Sequence, residues 1–511
     1  MADFLRIRGA NICGIIGIVG SKNVSFNIFN ALRTLQHRGQ DSAGIFTLEN
    51  WSTPHIYKKA GLVADIFSQD VLNSLKGDVG IGHVRYPTFG DQDRATRERD
   101  AQPTFENISG VAMVHNGNIV NADEIRKEMA AVRRYSQSTC DIVVANHLLI
   151  EIMARITNNG KITKDVAFQA LETLMDRLKG SYSIVSIIMD EGLLAFRDPY
   201  AIRPLVWGER VENDHRSYAF ASESCALDIL GYKVLRDVLP GEAIWIDKDL
   251  NVTTKVIRQK NSMHCMFEWV YFARPSSSIE NRNIYTVRER VGAILAKQLT
   301  ESGIAGKIDV IAAVPDSGRA TAQGLAYELG KPYTEVFDKN RYTGRSFIMP
   351  DEKSRVNEIE FKIIPIVYKI RNKSIGIVDD SIVRSATSRK VVKVLREHGA
   401  KEIHFVVACP PVKNPCILGI DMPTRKELAA SAKTIEEIRQ YIGADTLTYL
   451  DIQGLIDSVQ LGDSLCLACL NGKYPDNITK EDLLKFESQR DMERTGQPGQ
   501  KTLLAGYKDE S

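Results

Sequence analysis

Two adjacent carboxylates in the second half of the chain stand where a strand is expected to end. Asp379 and Asp380 follow the apolar run Ile375–Val378, which predicts a buried strand. A loop rich in serine and threonine comes next, and then a helical pattern that ends at Gly399. In α/β proteins this order builds phosphate sites, because loop N–H groups and a helix N-terminus carry partial positive charge. The carboxylates can hold sugar hydroxyls or a magnesium ion there, although a lone acidic pair is more often part of a solvated loop.

The cysteines are the second group with possible chemistry. Eight in 511 residues are too few for a disulfide framework, so they should be free thiols, ligands or nucleophiles. Cys13 begins a β-like apolar run, a position that is usually a core thiol. Four others are set apart by context, and their spacing suits structural zinc and an iron–sulfur cluster equally well: Cys265, Cys416, Cys466 and Cys469.

Composition limits the classes of function. The 66 basic and 64 acidic residues give a formal charge of +2, which offers no support for a nucleic-acid partner or an anionic membrane. No apolar run approaches the roughly 20 residues of a spanning helix, and the first twelve residues lack the apolar centre of a signal peptide. We therefore expect a cytoplasmic protein of two or more domains.

The first half of the chain, 13–246, is expected to form one domain. Helical patterns at 141–156 and 164–178 lie among strand patterns, and the runs 181–189 and 192–196 flank a two-residue turn that predicts a hairpin. The segment before this half, residues 1–12, has no periodic pattern.

After a polar boundary at 247–263, the second half, 264–480, alternates strands and helices. This alternation predicts a parallel, doubly wound α/β sheet. A polar tail is expected over 486–511. The alternating segments are the helix Tyr285–Leu299, the strand Ile308–Val314, the helix Ala320–Leu329, the strand Glu402–Ala408 and the strand and helix within Thr446–Val459.

The sequence of the acidic motif resembles that of a known family. Val378–Arg384, V-D-D-S-I-V-R, and the Ser/Thr loop after it resemble the phosphoribosylpyrophosphate (PRPP) motif of type I phosphoribosyltransferases. The basic, aromatic segment Lys339–Arg345 resembles the loop that closes over PRPP in that family.

The first half resembles another family, the class II glutamine amidotransferases, which are N-terminal-nucleophile hydrolases with an αββα fold. The resemblance is carried, in family order, by Cys13 and the segments Leu35–Ile45, Gly82–Thr88 and Val114–Asn118. The glutamine domains of asparagine synthetase and glucosamine-6-phosphate synthase resemble this half as well. The PRPP half therefore distinguishes between these possible functions.

Together the motifs, from Cys13 to about Pro475, resemble the glutamine PRPP amidotransferases. The resemblance implies that glutamine, PRPP and water give 5-phosphoribosylamine, glutamate and pyrophosphate, the first committed step of purine synthesis, with ammonia passing internally. It also implies purine nucleotide inhibitors and a homotetramer.

In the glutamine half the resemblance makes Cys13 the nucleophile. Its α-amine, with a pKa of about 7.7–8.0, can act as the base only if Cys13 is the first residue, so residues 1–12 are expected to be a removed propeptide. Asn116 and Gly117 are implied to form the oxyanion hole. The side chains implied to hold glutamine are Arg38, Arg85 and Asp141.

In the PRPP half the resemblance places Mg²⁺ beside PRPP, near Asp379, Asp380 and Ser317. The residues implied to contact PRPP belong to the closing loop, the acidic pair and the phosphate loop: Lys339, Arg341, Tyr342, Arg345, Asp379, Asp380, Arg384, Ser385, Thr387 and Ser388. Cys265, Cys416, Cys466 and Cys469 match the ligands of family members with a structural [4Fe–4S] cluster.

Five positions depart from the family pattern: Pro87, Val143, Ala201, Ser385 and Ala386. Ser385 replaces a glycine, so the loop is either strained in the family geometry or shifted to a conformation that serine tolerates; the neighbouring change favours the shift. A protein that only senses PRPP is the alternative function, but a bare sensor would not need the glutaminase residues.

Overall fold

The structure is a computed structural model that describes residues 13–86, 94–158, 160–339 and 363–495. The expected propeptide, the departure at Pro87 and the closing-loop residues Arg341, Tyr342 and Arg345 lie outside the described residues.

The first half is a domain of strands and helices, numbered here in chain order. Its strands are Gly14–Val19 (β1), Ser42–Glu49 (β2), Thr53–Ala60 (β3), Val79–Arg85 (β4), Thr104–Glu106 (β5), Val111–Ile119 (β6), Gly180–Ile188 (β7), Gly192–Arg197 (β8), Val206–Glu212 (β9), His215–Ala221 (β10), Lys233–Asp237 (β11), Glu242–Asp247 (β12) and Val252–Val256 (β13). Its helices are Val24–Thr34 (α1), Val63–Ile66 (α2), Gln69–Ser74 (α3), Arg94–Arg99 (α4), Ala122–Ala131 (α5), Asp141–Thr157 (α6), Lys164–Arg177 (α7) and Ser224–Asp228 (α8).

Two antiparallel sheets stack face to face in this domain. One has the order β11-β9-β10-β1-β4-β2-β3 and the other β13-β12-β8-β7-β6-β5. Apolar side chains of both, such as Ile15 and Val185, fill the space between them. Helix α1 packs on the outer face of the first sheet and helices α5 to α7 on that of the second. The expected αββα layers are confirmed, and burial on both faces explains why β6 and β7 are buried along their whole length.

The expected end of this domain at Ile246 is wrong, because β13 pairs with β12 and extends the second sheet to Val256. The exposed, polar strand β13 lies at the sheet edge, so it lacks the apolar pattern of a buried strand. The hairpin of β7 and β8 is confirmed.

The second half is built around a four-stranded parallel sheet. All the strands described in this half are His264–Cys265 (β14), Ser278–Ile279 (β15), Arg282–Asn283 (β16), Val310–Ala313 (β17), Phe337–Lys339 (β18), Ile363–Pro365 (β19), Ser374–Asp379 (β20), Glu402–Val407 (β21), Thr446–Tyr449 (β22) and Leu465–Cys466 (β23). Its α-helices are Ile284–Glu301 (α9), Arg319–Leu329 (α10), Val367–Ile370 (α11), Ala386–Glu397 (α12), Ala429–Ala432 (α13), Ile435–Ile442 (α14), Ile452–Val459 (α15), Ala468–Asn471 (α16) and Lys480–Thr495 (α17).

The parallel sheet has the order β17-β20-β21-β22 and is covered on both faces. Helices α9, α10 and α15 share a core with one face, and α12 and α14 with the other, so the predicted doubly wound architecture is confirmed. Local sequence fixes individual helices: α14 begins with a capping box of Thr434 and Glu437 and ends at Gly443, whose φ is +79°.

The tail expected from residue 486 is partly wrong, because α17 continues to Thr495. Phe486 is buried, and the buried Arg490 donates to Asp421 over 2.8 Å. The polar composition of α17 hid the burial of Phe486 and the long-range contact of Arg490. None of the described helices is long and apolar enough to cross a membrane.

Candidate functional site

Cys13 lies directly before β1 with a buried side chain. Its Sγ donates to the main-chain oxygen of Tyr86 over 3.9 Å. Burial raises the pKa of the Cys13 thiol, although the Tyr86 carbonyl and the Arg85 guanidinium act in the opposite direction. The thiol therefore needs a base to become a nucleophile at neutral pH.

Arg38 is not placed where it could contact glutamine, which corrects its expected role. Its side chain is completely buried, and Nε donates to the Cys13 carbonyl oxygen over 3.1 Å. Nη1 donates to Glu223 over 2.6 Å, and Nη2 donates to Glu268 over 2.8 Å. Arg38 thus holds the backbone of Cys13. Both carboxylate partners are far away in sequence, so the motif gave no signal of this role.

Arg85 ends β4 beside Cys13, with its side chain 8% exposed and Nη2 3.9 Å from Asp100. Asp100 is buried and accepts bonds from Ser138 Oγ over 2.8 Å and from Thr139 N over 3.0 Å. Sequence reasoning missed Asp100, which lies before an irregular turn rather than in a motif.

Asp141 is the first residue of α6, and one fifth of its side chain is exposed. Oδ2 accepts the Ile119 N–H over 2.8 Å and lies 3.3 Å from His115 Nε2, and Oδ1 accepts the Ile142 N–H over 2.9 Å. Burial opposes ionisation, but His115 and these N–H groups lower the pKa of Asp141 to about 2. Asp141 is therefore a carboxylate that can receive an ammonium group, and His115 is a second residue that the sequence did not indicate.

Asn116 and Gly117 are neighbours on β6. Asn116 is completely buried, and neither its Oδ1 nor its Nδ2 has a hydrogen-bond partner among the described residues. A buried amide without partners costs about 1–3 kcal/mol and points to a ligand. At Gly117, a Cβ would lie 2.0 Å from the Ser181 oxygen, so only glycine fits. The structure brings both residues to the same place in the sheet.

In the second half, Asp379 ends β20 and Asp380 follows it, as the sequence predicted. Both are 7% exposed. Burial and mutual repulsion raise the pKa of Asp379, and burial raises that of Asp380. Ser317 Oγ donates to Asp380, and Lys339 Nζ donates to Asp316 of the same loop. Two buried carboxyl groups side by side ionise together only when a cation compensates them, so the pair at the sheet edge suits a cation.

The phosphate loop joins β20 to α12. Ser385 directly precedes α12, and its φ of +62° is in the left-handed region that favours glycine. The expected shift of the loop to a conformation that serine tolerates is therefore wrong. Ser385 is buried, and its Oγ has no hydrogen-bond partner among the described residues. Ser388 is buried and Thr387 is half-buried, while Arg384 is exposed and donates to Glu427 over 3.1 Å.

The four cysteines of the second half come together. Strands β14 and β23 pair in parallel with Cys265 opposite Cys466, and Cys469 lies in α16. Cys416 Sγ accepts the Leu418 N–H over 3.4 Å. Burial raises the pKa of Cys265 to about 11, with a further contribution from Cys416. None of the eight cysteines is in a disulfide. In the described ranges no three potential ligands are grouped tightly enough to hold a single metal ion.

Arg203 lies beside these thiols. It is completely buried, Nη2 donates to Glu268 over 2.5 Å, and its charge favours the thiolates of Cys265 and Cys416. Its Nε and Nη1 have no hydrogen-bond partner in the described part of the chain. Buried donors next to four thiols fit an anionic centre at the cysteines.

Comparisons with known proteins agree with this arrangement. The glutamine amidotransferase domain family matches residues 92–228, and the phosphoribosyl transferase domain family matches residues 281–438.

Relatives that match this chain over most of its length are amidophosphoribosyltransferases. The amidophosphoribosyltransferase of Haemophilus influenzae is 38% identical over 94% of this chain and 96% of its own. The amidophosphoribosyltransferase of Escherichia coli K12 is 40% identical over 88% of this chain and 89% of its own. The solved structure of glutamine PRPP amidotransferase from B. subtilis, complexed with ADP and GMP, has a TM-score of 0.80 at 35% identity and covers 91% of this chain and 97% of its own. This chain belongs to the amidophosphoribosyltransferase family.

Proposed function

We propose that the family reaction, transfer of the glutamine amide nitrogen to PRPP, is divided between the two sites described above. The observation that carries this proposal is the buried Asn116 amide, which has no partner among the described residues. It lies on β6, the strand whose Ile119 N–H binds Asp141, and Asp141 and Arg85 both act on the charge of Cys13. A PRPP sensor would have no use for this amide.

In the glutamine site, Arg85 pairs with the α-carboxylate of glutamine and Asp141 with its α-ammonium group. The Cys13 α-amine takes the thiol proton as Sγ attacks the side-chain amide carbon. Asn116 Nδ2 and the Gly117 N–H stabilise the oxyanion. The amine proton then goes to the leaving nitrogen, ammonia departs, and water hydrolyses the thioester to glutamate.

This chemistry requires the α-amine of Cys13, so residues 1–12 are removed before activity. Mass spectrometry of active protein should find Cys13 at the N-terminus, and activity in a chain that keeps Met1 would overturn this step.

In the PRPP site, the residues fit the binding of Mg²⁺ together with PRPP. Asp379, Asp380 and Ser317 would hold the ion, which neutralises charge on the pyrophosphate. The N–H groups of residues 384–388 receive the 5′-phosphate. Ammonia reaches C1 of PRPP internally, because water at neutral pH would protonate it.

The four cysteines fit a [4Fe–4S] cluster with a structural role. The charge of Arg203, and its two donors without a partner in the described part of the chain, support an anionic centre there. Anaerobically purified protein should contain about four irons and sulfide per chain. One zinc without sulfide would contradict the cluster and leave the two active sites unaffected. The ADP and GMP named with the B. subtilis structure support purine nucleotides as inhibitors of this chain.

Glutamate release with and without PRPP tests the function as a whole. We expect PRPP to stimulate release in the wild-type protein. Cys13→Ala should abolish use of glutamine and retain synthesis from PRPP and ammonium ions. No PRPP consumption with either nitrogen source would refute the transferase assignment.

A further inference from the structure

A short segment of the second half, Cys416–Ile420, lies directly against the strands of the glutamine site. The Asn118 side chain on β6 donates from Nδ2 to the Ile417 oxygen over 2.8 Å. The Ser181 hydroxyl on β7 donates to the Leu418 oxygen over 2.8 Å. Both side chains are buried. Because Asn118 and Ser181 are paired across the two strands, the segment is attached to the sheet at one point.

The next residue of the segment, Gly419, contacts the backbone of Gly117. Its φ is +96°, and a Cβ built on it would lie 3.0 Å from the Gly117 carbonyl carbon and 3.2 Å from the Gly117 Cα. A Cβ on Gly117 would itself lie 2.0 Å from the Ser181 oxygen. Gly117 is therefore in close contact with a strand of its own domain and with a loop of the other.

The start of the segment is itself fixed. Cys416 Sγ accepts the Leu418 N–H over 3.4 Å, and the Tyr474 hydroxyl donates to the Pro415 oxygen over 2.6 Å. The start of the segment is thus tied to the second half of the chain, and its middle to the sheet of the first.

We propose that Cys416–Ile420 is a positioning segment that, through its contact with the Cα and carbonyl of Gly117, sets the place of the Gly117 N–H in the oxyanion hole. The proposal rests on the function given above, in which the Gly117 N–H binds the oxyanion. An oxyanion donor works only when it is already aimed at the developing charge. Movement of the segment should therefore change the rate of amide cleavage more than the binding of glutamine.

The first test is Gly419→Ala, which adds a methyl group facing the Gly117 backbone. We expect the kcat of glutamine hydrolysis to fall at least about tenfold, within the hundred- to thousandfold loss of a whole donor. The KM for glutamine and the PRPP-dependent rate with ammonium ions should stay within about twofold. Gly399→Ala is the control, since Gly399 has φ +86° and its nearest neighbour to an added Cβ is 3.6 Å away.

A second readout separates oxyanion binding from general damage. Glutamate γ-semialdehyde reacts reversibly with a thiol to give a tetrahedral adduct, so its inhibition constant should rise in proportion to the fall in kcat. Inhibition by glutamate, which has no such adduct, should not change. An unchanged semialdehyde constant, or equal effects of Gly419→Ala and Gly399→Ala, would overturn the proposal.

The third variant adds no bulk. Ser181→Ala leaves the Leu418 oxygen without its donor, and kcat should fall by about three- to tenfold, the equivalent of one hydrogen bond. Ser186→Ala removes a buried hydroxyl of the same strand that donates to Ala112 within the first domain, and it should have no such effect. Equal losses of kcat in the two serine variants would also refute the proposal. A wild-type protein without glutaminase activity would instead refute the underlying function.

Discussion

Arg38 Nε donates to the main-chain carbonyl oxygen of Cys13 over 3.1 Å, and the same guanidinium is bound to Glu268 of the other half. Glu268 begins a π-helical turn near the start of the second half and also binds Arg203. The backbone of the nucleophile is therefore fixed by charges from both halves.

Replacement of Arg38 should strongly destabilise the folded protein. Arg38→Met leaves Glu223 and Glu268 buried with one cation fewer, and we expect the free energy of unfolding to fall by about 3–5 kcal/mol in urea titrations. Arg155→Met is the control: Arg155 is 67% exposed and pairs with Glu151 on the same helix, so less than about 1 kcal/mol should be lost. A loss below 1 kcal/mol in Arg38→Met would contradict the role of this network.

The stability contributed by Asp141 should depend on pH. Its folded pKa of about 2 is below the unfolded value of 3.8, so the ionised form is favoured by folding. The contribution, about 2 kcal/mol, is fully present above about pH 5 and is lost as the pH falls towards 2. The difference in unfolding free energy between the wild type and Asp141→Asn should shrink over this range. A difference that is constant from pH 7 to pH 3 would contradict the low pKa.

Elements with a strong local pattern were predictable. The apolar run before Asp379 gave β20, and the period of residues 141–156 gave α6. Arg85 at the end of β4 and Asp141 at the start of α6 also lie in elements whose type is locally determined, and their roles stay predictions.

Features that depend on distant partners were not predictable. Arg38 owes its place to carboxylates 185 and 230 residues away. Helix α17 is stabilised where Arg490 meets Asp421, and β13 exists because β12 offers a free edge. Such contacts leave no period in the sequence.

Ala201, which replaces a glycine of the family pattern, is completely buried with φ +50°. The substitution Ala201→Gly should relieve this backbone strain, which is roughly 1–2 kcal/mol. It should also lower the stability by about 0.5–1 kcal/mol, because glycine makes the unfolded chain more flexible. Ala195→Gly in the strand β8 should lower the stability by the same amount without relieving any strain. Thermal unfolding should therefore show Ala201→Gly to be more stable than Ala195→Gly by about 1–2 kcal/mol. Equal stabilities would show that Ala201 is unstrained.

Ser385 combines a strained backbone with a buried hydroxyl, and three side chains at this position separate the two effects. Ser385 is 4% exposed and immediately precedes α12, so the protein itself holds its φ of +62°. Strain relief should consequently appear in folding, with Ser385→Gly more stable than Ser385→Ala by about 1 kcal/mol. The dissociation constant of PRPP, measured by calorimetry, should be the same for both variants within about twofold.

The hydroxyl should appear in binding. It has no hydrogen-bond partner among the described residues and lies in the loop proposed to receive the 5′-phosphate. A hydrogen bond to a charged group contributes about 1.5–3 kcal/mol, so both variants should bind PRPP at least about tenfold more weakly than the wild type. Tighter binding by Ser385→Gly than by Ser385→Ala would place the strain in the bound state instead. Unchanged binding in Ser385→Ala would exclude the hydroxyl from the phosphate site.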